Sequence, residues 1–77
     1  WPGSYFLHNN VNIKVHEMYI DSNAYKDLPG SLVKFNREGI VIKTANSAIV
    51  ITHLQFPNKK TISSADAFNS YLDFFTT

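Results

Sequence analysis

Three histidines, His8, His16 and His53, are the residues of this sequence best suited to metal ligation or acid–base work. A metal site needs ligands at short spacing or ligands converging from several strands. No two of these histidines stand at i, i+3 or i+4, and no carboxylate pair accompanies them, so they read as surface or structural side chains. Ser63, His53 and Asp66 have the side-chain types of a nucleophilic triad. Ser63 and Asp66 stand three apart just before an apolar stripe, however, which is the pattern of a helix N-cap. No Gly-x-Ser-x-Gly elbow occurs, and the phosphate-loop, dinucleotide and Walker patterns are absent. With no cysteine among its 77 residues the chain cannot perform thiol catalysis or build a cysteine-based zinc site. It therefore offers no catalytic, cofactor-binding or metal residues of its own and reads as a non-catalytic module.

The cations carry the other chemistry. Lys14, Lys34 and Lys43 fall one on each of the second, third and fourth expected strands. Arg37 sits at a hairpin tip, and Lys59-Lys60 forms a pair in the loop before the expected helix. Two readings stand side by side. One is simple solvation of outward faces. The other is a polyanion surface, since five-stranded barrels of the OB type bind nucleic acids across their strands. Seven Lys/Arg against six Asp/Glu leave a net charge of +1. That argues against a strongly basic clamp and leaves room for a one-sided patch.

The elements that must position these residues follow from the punctuation. Turn signals fall at Pro2-Gly3, Asn9-Asn10, Pro29-Gly30, Glu38-Gly39, Asn46-Ser47 and Pro57-Asn58. Between them lie short runs rich in Val, Ile, Thr, Tyr and Phe, the spacing of an all-β barrel or sandwich. The runs predict strands over Tyr5–Leu7, Val11–Ile20, Gly30–Phe35, Gly39–Lys43 and Ala48–Leu54, with Asp21–Leu28 a polar connection. In the second strand, alternation puts Val11, Ile13, Val15, Glu17 and Tyr19 on one face, the core face apart from Glu17. Asn12, Lys14, His16, Met18 and Ile20 fall on the other. After Ser63 the period changes: Phe68, Tyr71, Leu72 and Phe75 recur at i, i+3, i+4 and i+7, one stripe of a helix of about three turns. The expected fold is mainly β, a small OB-like antiparallel barrel of about five strands with one C-terminal helix, forming a single domain over 1–77.

Size and composition agree with this. A chain of 8.8 kDa, 44% hydrophobic and 17% charged, is globular in composition. Its core must rest on aromatic rings, 14% of residues, because no disulfide staples it. No run approaches the roughly 18 apolar residues of a membrane span, and no signal-peptide pattern opens the chain. The first residue is Trp1 and the only methionine is Met18. The expectation is a processed or excised piece of a longer chain.

Several segments share a pattern beyond composition. They are Trp1-Pro2-Gly3-Ser4-Tyr5, Leu28-Pro29-Gly30-Ser31-Leu32-Val33, Glu38-Gly39-Ile40-Val41-Ile42 and Ala48–Gln55. Asn58-Lys59-Lys60 and Ser64-Ala65-Asp66-Ala67-Phe68 follow. In order and spacing they resemble the C-terminal domain of methionyl-tRNA formyltransferases over nearly the whole chain. The one departure at a turn is Asn58, where that family usually has glycine.

The resemblance implies a formyltransferase with a covalently linked N-terminal Rossmann-like domain. That domain would carry the catalytic Asn, His and Asp upstream of Trp1 and use 10-formyltetrahydrofolate. The present chain would be its OB-like appendage, with no cofactor of its own, and the protein cytoplasmic. In the tRNA enzymes the appendage lies along the inside of the initiator tRNA. By that correspondence Lys59 and Lys60 are the first candidates for phosphate contact; Lys14 and Lys43 come second because they point off strand faces that look solvated, with Lys34 and Arg37 also in the candidate set. Amino-sugar N-formyltransferases carry related C-terminal domains that serve as structural or protein-contact units, and this alternative stands beside the first.

Overall fold

Asparagine, proline and glycine set the corners of the chain. The computed structural model describes residues 3–23 and 25–76, so Trp1 and Pro2 of the opening segment lie outside the described residues. Strands β1 (Tyr5–His8) and β2 (Val11–Asp21) are joined by Asn9 and Asn10, with φ of 48° and 64°. Two consecutive left-handed residues make the hairpin turn whose twist matches its strands, and asparagine tolerates that geometry. Gly30 has φ of 88° in the turn from Leu28 to Ser31, closed by Ser31 N–H donating to the Leu28 carbonyl at 3.0 Å. Strands β3 (Leu32–Asn36), β4 (Gly39–Lys43) and β5 (Ala48–Gln55) follow. The β3–β4 turn is tied by the Asn36 side chain, which accepts from the N–H groups of Glu38 at 2.9 Å and Gly39 at 3.2 Å.

All pairings are antiparallel, in the order β1-β2-β5-β4-β3, and the five strands form a half-barrel. A two-residue strand, β6 (Ile62–Ser63), adds to β5. Ser63 then caps the helix, its hydroxyl accepting from Asp66 N–H at 3.1 Å, as the Ser–x–x–Asp spacing predicts. The inner face is filled by Ile13 and Val15 from β2, Ile40 and Ile42 from β4, and Ile49, Ile51 and Leu54 from β5. Phe56, Ala67 and Phe75 close it.

Strict alternation along β2 does not hold. The β2–β5 register breaks between Val15 and Met18, where Glu17 faces His53, and Met18 packs on the core while Tyr19 is 52% exposed. β5 changes phase at the same place, since Ile49, Ile51 and Leu54 all reach the inner core. Bulges bend a strand and raise its twist. Here both strands shift together, so a long ladder can curl into a barrel wall and keep its register on either side.

The C-terminal helix is also interrupted. Tyr71, with φ −129° and ψ 24°, separates α1 (Ser64–Ser70) from α2 (Leu72–Thr76). Asn69 and Ser70 are poor helix formers that compete for backbone hydrogen bonds, and Tyr71 stacks on Phe56 at 4.3 Å between centroids. The break rephases the stripe. Leu72, expected inside, is 40% exposed, while Phe74 packs against the core and Phe75 is 3% exposed. Phe75 lies 4.8 Å from Phe35 and 6.0 Å from Phe56 between ring centroids.

Candidate functional site

On the outer face of β1, β2 and β5 the register places Tyr5 opposite Lys14 and Lys14 opposite Gln55, with Leu7 opposite Asn12 one row on. Outward residues of three neighbouring strands thus form one mixed surface, polar apart from Leu7 and the Tyr5 ring, behind the core residues Ile13 and Val15. A groove of about 570 Å³ opens there, lined by Tyr5, Asn12, Lys14, Gln55, Phe56, Pro57 and Asn58. None of these seven is acidic. The far wall is the turn from Phe56 to Lys59, closed by Lys59 N–H donating to the Phe56 carbonyl at 3.1 Å. Proline presets the second position of such a turn, and the third must take positive φ. Asn58 does so at 61°. The residue that departs from the expected glycine is therefore one that suits the same backbone.

Gln55 fixes this turn to the sheet. Its Nε2 donates to the Lys59 carbonyl at 2.7 Å, so its Oε1 is left to accept from His16 Nε2 at 2.7 Å. The base of the Lys59-Lys60 loop is thereby tethered while both lysine side chains are exposed.

Of the six cations expected at a binding surface, Lys14 lines this groove, while Lys59 and Lys60 are exposed and continue the chain from the turn that forms its far wall. The other three are engaged elsewhere. Lys43 lines an adjoining recess of about 440 Å³ that shares Tyr5 with the first, but its ammonium donates to the carbonyls of Thr44 at 2.5 Å and Ser47 at 3.2 Å. Lys34 lies 5.8 Å from the centre of the Tyr25 ring, in a recess shared with Asp21 and Glu38. Arg37 covers the Phe68 ring at 4.9 Å and donates to Asn69 Oδ1 at 3.4 Å. Sequence position alone could not place Lys34 and Arg37, because their aromatic partners come from other segments, whereas Lys43 turns onto carbonyls of its own hairpin.

The histidines have protein partners. His8 Nε2 donates to the Phe74 carbonyl at 3.1 Å, beside Asn9 Nδ2 at 2.9 Å, so the first hairpin caps α2. His53 Nδ1 meets Thr52 Oγ1 at 3.1 Å and Glu17 Oε2 at 3.3 Å. The Ser63 hydroxyl serves as the helix cap, and the β5–β6 register sets Ser63 opposite His53. Sequence reasoning missed Ser64, which is fully buried and donates from Oγ to the Ile51 carbonyl at 2.5 Å. The only signal for it is the serine pair at a helix start. It also missed the carboxylate of Asp21. The Asn23 N–H, at 2.9 Å, and then the Tyr25 hydroxyl, at 2.7 Å, hold Asp21 below its ordinary pKa, with a smaller pull from Lys34. Among the described residues no three His, Asp or Glu side chains gather for a metal ion, and no helix is long and apolar enough to cross a membrane.

A comparison with protein families matches residues 1–72 to the formyl transferase C-terminal domain. This chain belongs to that family. The matched span takes in all six strands and α1, and it ends at the first residue of α2. Three recesses lie on this formyltransferase C-terminal domain. All are open surface features, and the one buried polar residue among those described is Ser64.

Proposed function

We propose that this formyltransferase C-terminal domain binds the initiator tRNA of a methionyl-tRNA formyltransferase and holds it for formyl transfer. The transfer itself belongs to a covalently linked N-terminal Rossmann-like domain that uses 10-formyltetrahydrofolate. The residues of this chain bind and orient. The observation that carries the reading is Lys14 in a groove with no acidic lining residue, beside the tethered turn that leads into the exposed Lys59 and Lys60. Cations on a tethered turn can meet phosphates without large loss of backbone freedom. Contacts made equally in ground and transition states lower the Michaelis constant and leave turnover largely alone.

A second reading keeps the domain on an amino-sugar N-formyltransferase, as a structural or protein-contact unit. It is favoured by the net charge of +1 and by the engagement of Lys34, Arg37 and Lys43 with this chain's own groups. Titration of the chain with initiator tRNA at several salt concentrations separates the two. Each phosphate contact should contribute about 0.9 to the slope of log affinity against log salt on duplex regions. The double variant Lys59→Ala, Lys60→Ala should flatten that slope by up to two contacts. It should leave stability within about 0.5 kcal/mol, because both side chains are exposed. An unchanged slope in the double variant, or tRNA binding indifferent to salt, would overturn the tRNA reading and favour the amino-sugar one.

A further inference from the structure

We propose that the groove beside Tyr5 takes an unpaired nucleotide, with its base stacked on the Tyr5 ring and its phosphate on Lys14 and the Lys59-Lys60 loop. This inference rests on the nucleic-acid reading above and names the part of the ligand that the groove selects.

Tyr5 is 59% exposed. Its neighbour Phe6 packs inward on the core, and alternation along β1 turns Tyr5 out. A single exposed tyrosine is ordinary. What distinguishes this one is its company. The ring forms a common wall of two recesses, and its direct cross-strand partner is a lysine. Across the groove stand Pro57 and Asn58, held in place through Gln55. Among the described residues the amides of Asn12 and Asn58 have no protein hydrogen-bond partner, so their donors and acceptors are free for a base edge. The volume of about 570 Å³ lies within the usual range of small-ligand sites, roughly 300–1,000 Å³.

A double helix cannot use such a site, because its base faces are already covered by their neighbours. Aromatic platforms therefore read splayed, single-stranded nucleotides. Two amides, each able to present either its donor or its acceptor, discriminate weakly between bases, so the ring should supply most of the base binding.

The test uses the full chain with two probes, a short oligoadenylate and a blunt RNA duplex of equal phosphate number. Tyr5→Ala should weaken oligoadenylate binding between about five-fold and about a hundred-fold, the range of one lost stacking contact. Duplex affinity should not change, and Tyr5→Phe should restore the oligoadenylate to near the parent value. Thermal melting checks that the variants fold, and Tyr5→Thr offers a ring deletion that keeps a strand-forming residue. Equal oligoadenylate affinity in parent, Tyr5→Ala and Tyr5→Thr would overturn the stacking site, as would Tyr5→Phe binding as weakly as Tyr5→Ala. If these variants bind like the parent while Lys59→Ala, Lys60→Ala loses tRNA, the stacking site fails and the tRNA reading stands. If the parent binds oligoadenylate through Tyr5 and shows no salt-dependent tRNA binding, the stacking site stands and the tRNA reading fails.

Discussion

The outer face of the sheet is built in two different ways at its two ends. Over β4 and β5 it is dry: Val41, Ala48 and Val50 are buried there under Tyr25 and Val33. Over β1, β2 and the far end of β5 it is open and polar, with Tyr5, Asn12, Lys14 and Gln55 around a groove. Both ends share the same inner core, and the same strand β5 runs through both. The difference comes from the connection between β2 and β3. It sends the Tyr25 ring back over one end of the sheet and, among the described residues, leaves the other end uncovered. Stability is thus concentrated on the inner face and at the covered end, and the open end can vary in its side chains at little structural cost.

The largest effect should come from the inner face that both ends share. Phe75 is the ring on which the aromatic cluster converges, against Phe6, His8, Phe35, Phe56 and Phe74. Phe75→Ala should cost about 3–5 kcal/mol, as the loss of a large core ring does. That is a major share of the stability of a domain this small. Chemical denaturation should show a lower midpoint. A folded variant that kept its stability would mean that the inner face does not carry the fold.

A smaller effect is expected where the two faces are squeezed together. Gly39 opens β4 and is buried, and a Cβ there would lie 2.2 Å from Val50 Cγ1 and 3.1 Å from the Ile51 carbonyl. Valine is stiff about χ1 and Val50 has little room to turn, so Gly39→Ala should destabilise by about 1–3 kcal/mol through overpacking. The open end, which Gly39 does not touch, should keep its backbone protection in hydrogen exchange. A neutral Gly39→Ala would show that the covered end is loosely packed, and the contrast between the ends would weaken.

Much of this architecture could be read from the residue order, because it is specified locally. Asn9-Asn10, Pro29-Gly30 and Pro57-Asn58 each encode their own turn, and Ser63 with Asp66 encodes the helix start. What could not be read depends on distant partners. Alternation places Met18 outside, and only the joint phase change of β2 and β5 brings it in. The 3.6-residue stripe places Leu72 inside, and the break at Tyr71, which stacks on Phe56, gives its place to Phe74. Asp21–Leu28 reads as a polar connection, yet its Tyr25 roofs a second apolar cluster. Of the six cations, Lys14 could be joined to the Lys59-Lys60 loop only once its register with Gln55 was known. The hold of Thr44 and Ser47 carbonyls on the Lys43 ammonium is local, yet it depends on a hairpin geometry that residue order alone does not show.

The smallest effect concerns the fastening of that roof, and it is a matter of pH. The Asp21 carboxylate accepts from Asn23 N–H and from the Tyr25 hydroxyl, so its folded pKa lies below the ordinary 3.8. A depressed folded value means that the unfolded chain binds the proton more readily. The stability contributed by ionised Asp21 is therefore fully present above the ordinary value and is lost as pH falls through the folded one. Asp21→Asn keeps the shape but has no charge to titrate. Its melting temperature should sit slightly below the parent's at neutral pH and fall less steeply in acid, so that the two curves converge at the lowest pH. Tyr25→Phe removes only the second of the two donors and should give an intermediate slope. Hydrogen exchange would locate the effect. Below the ordinary carboxylate range, amides at the Tyr25-covered end of the sheet should lose protection before those near Ile13 and Val15, because only the former lie under the fastened segment. Parallel melting curves for parent and Asp21→Asn would instead mean that Tyr25 is held by packing on Val41 and Val50 alone, and the covered end would then owe nothing to the charge of Asp21.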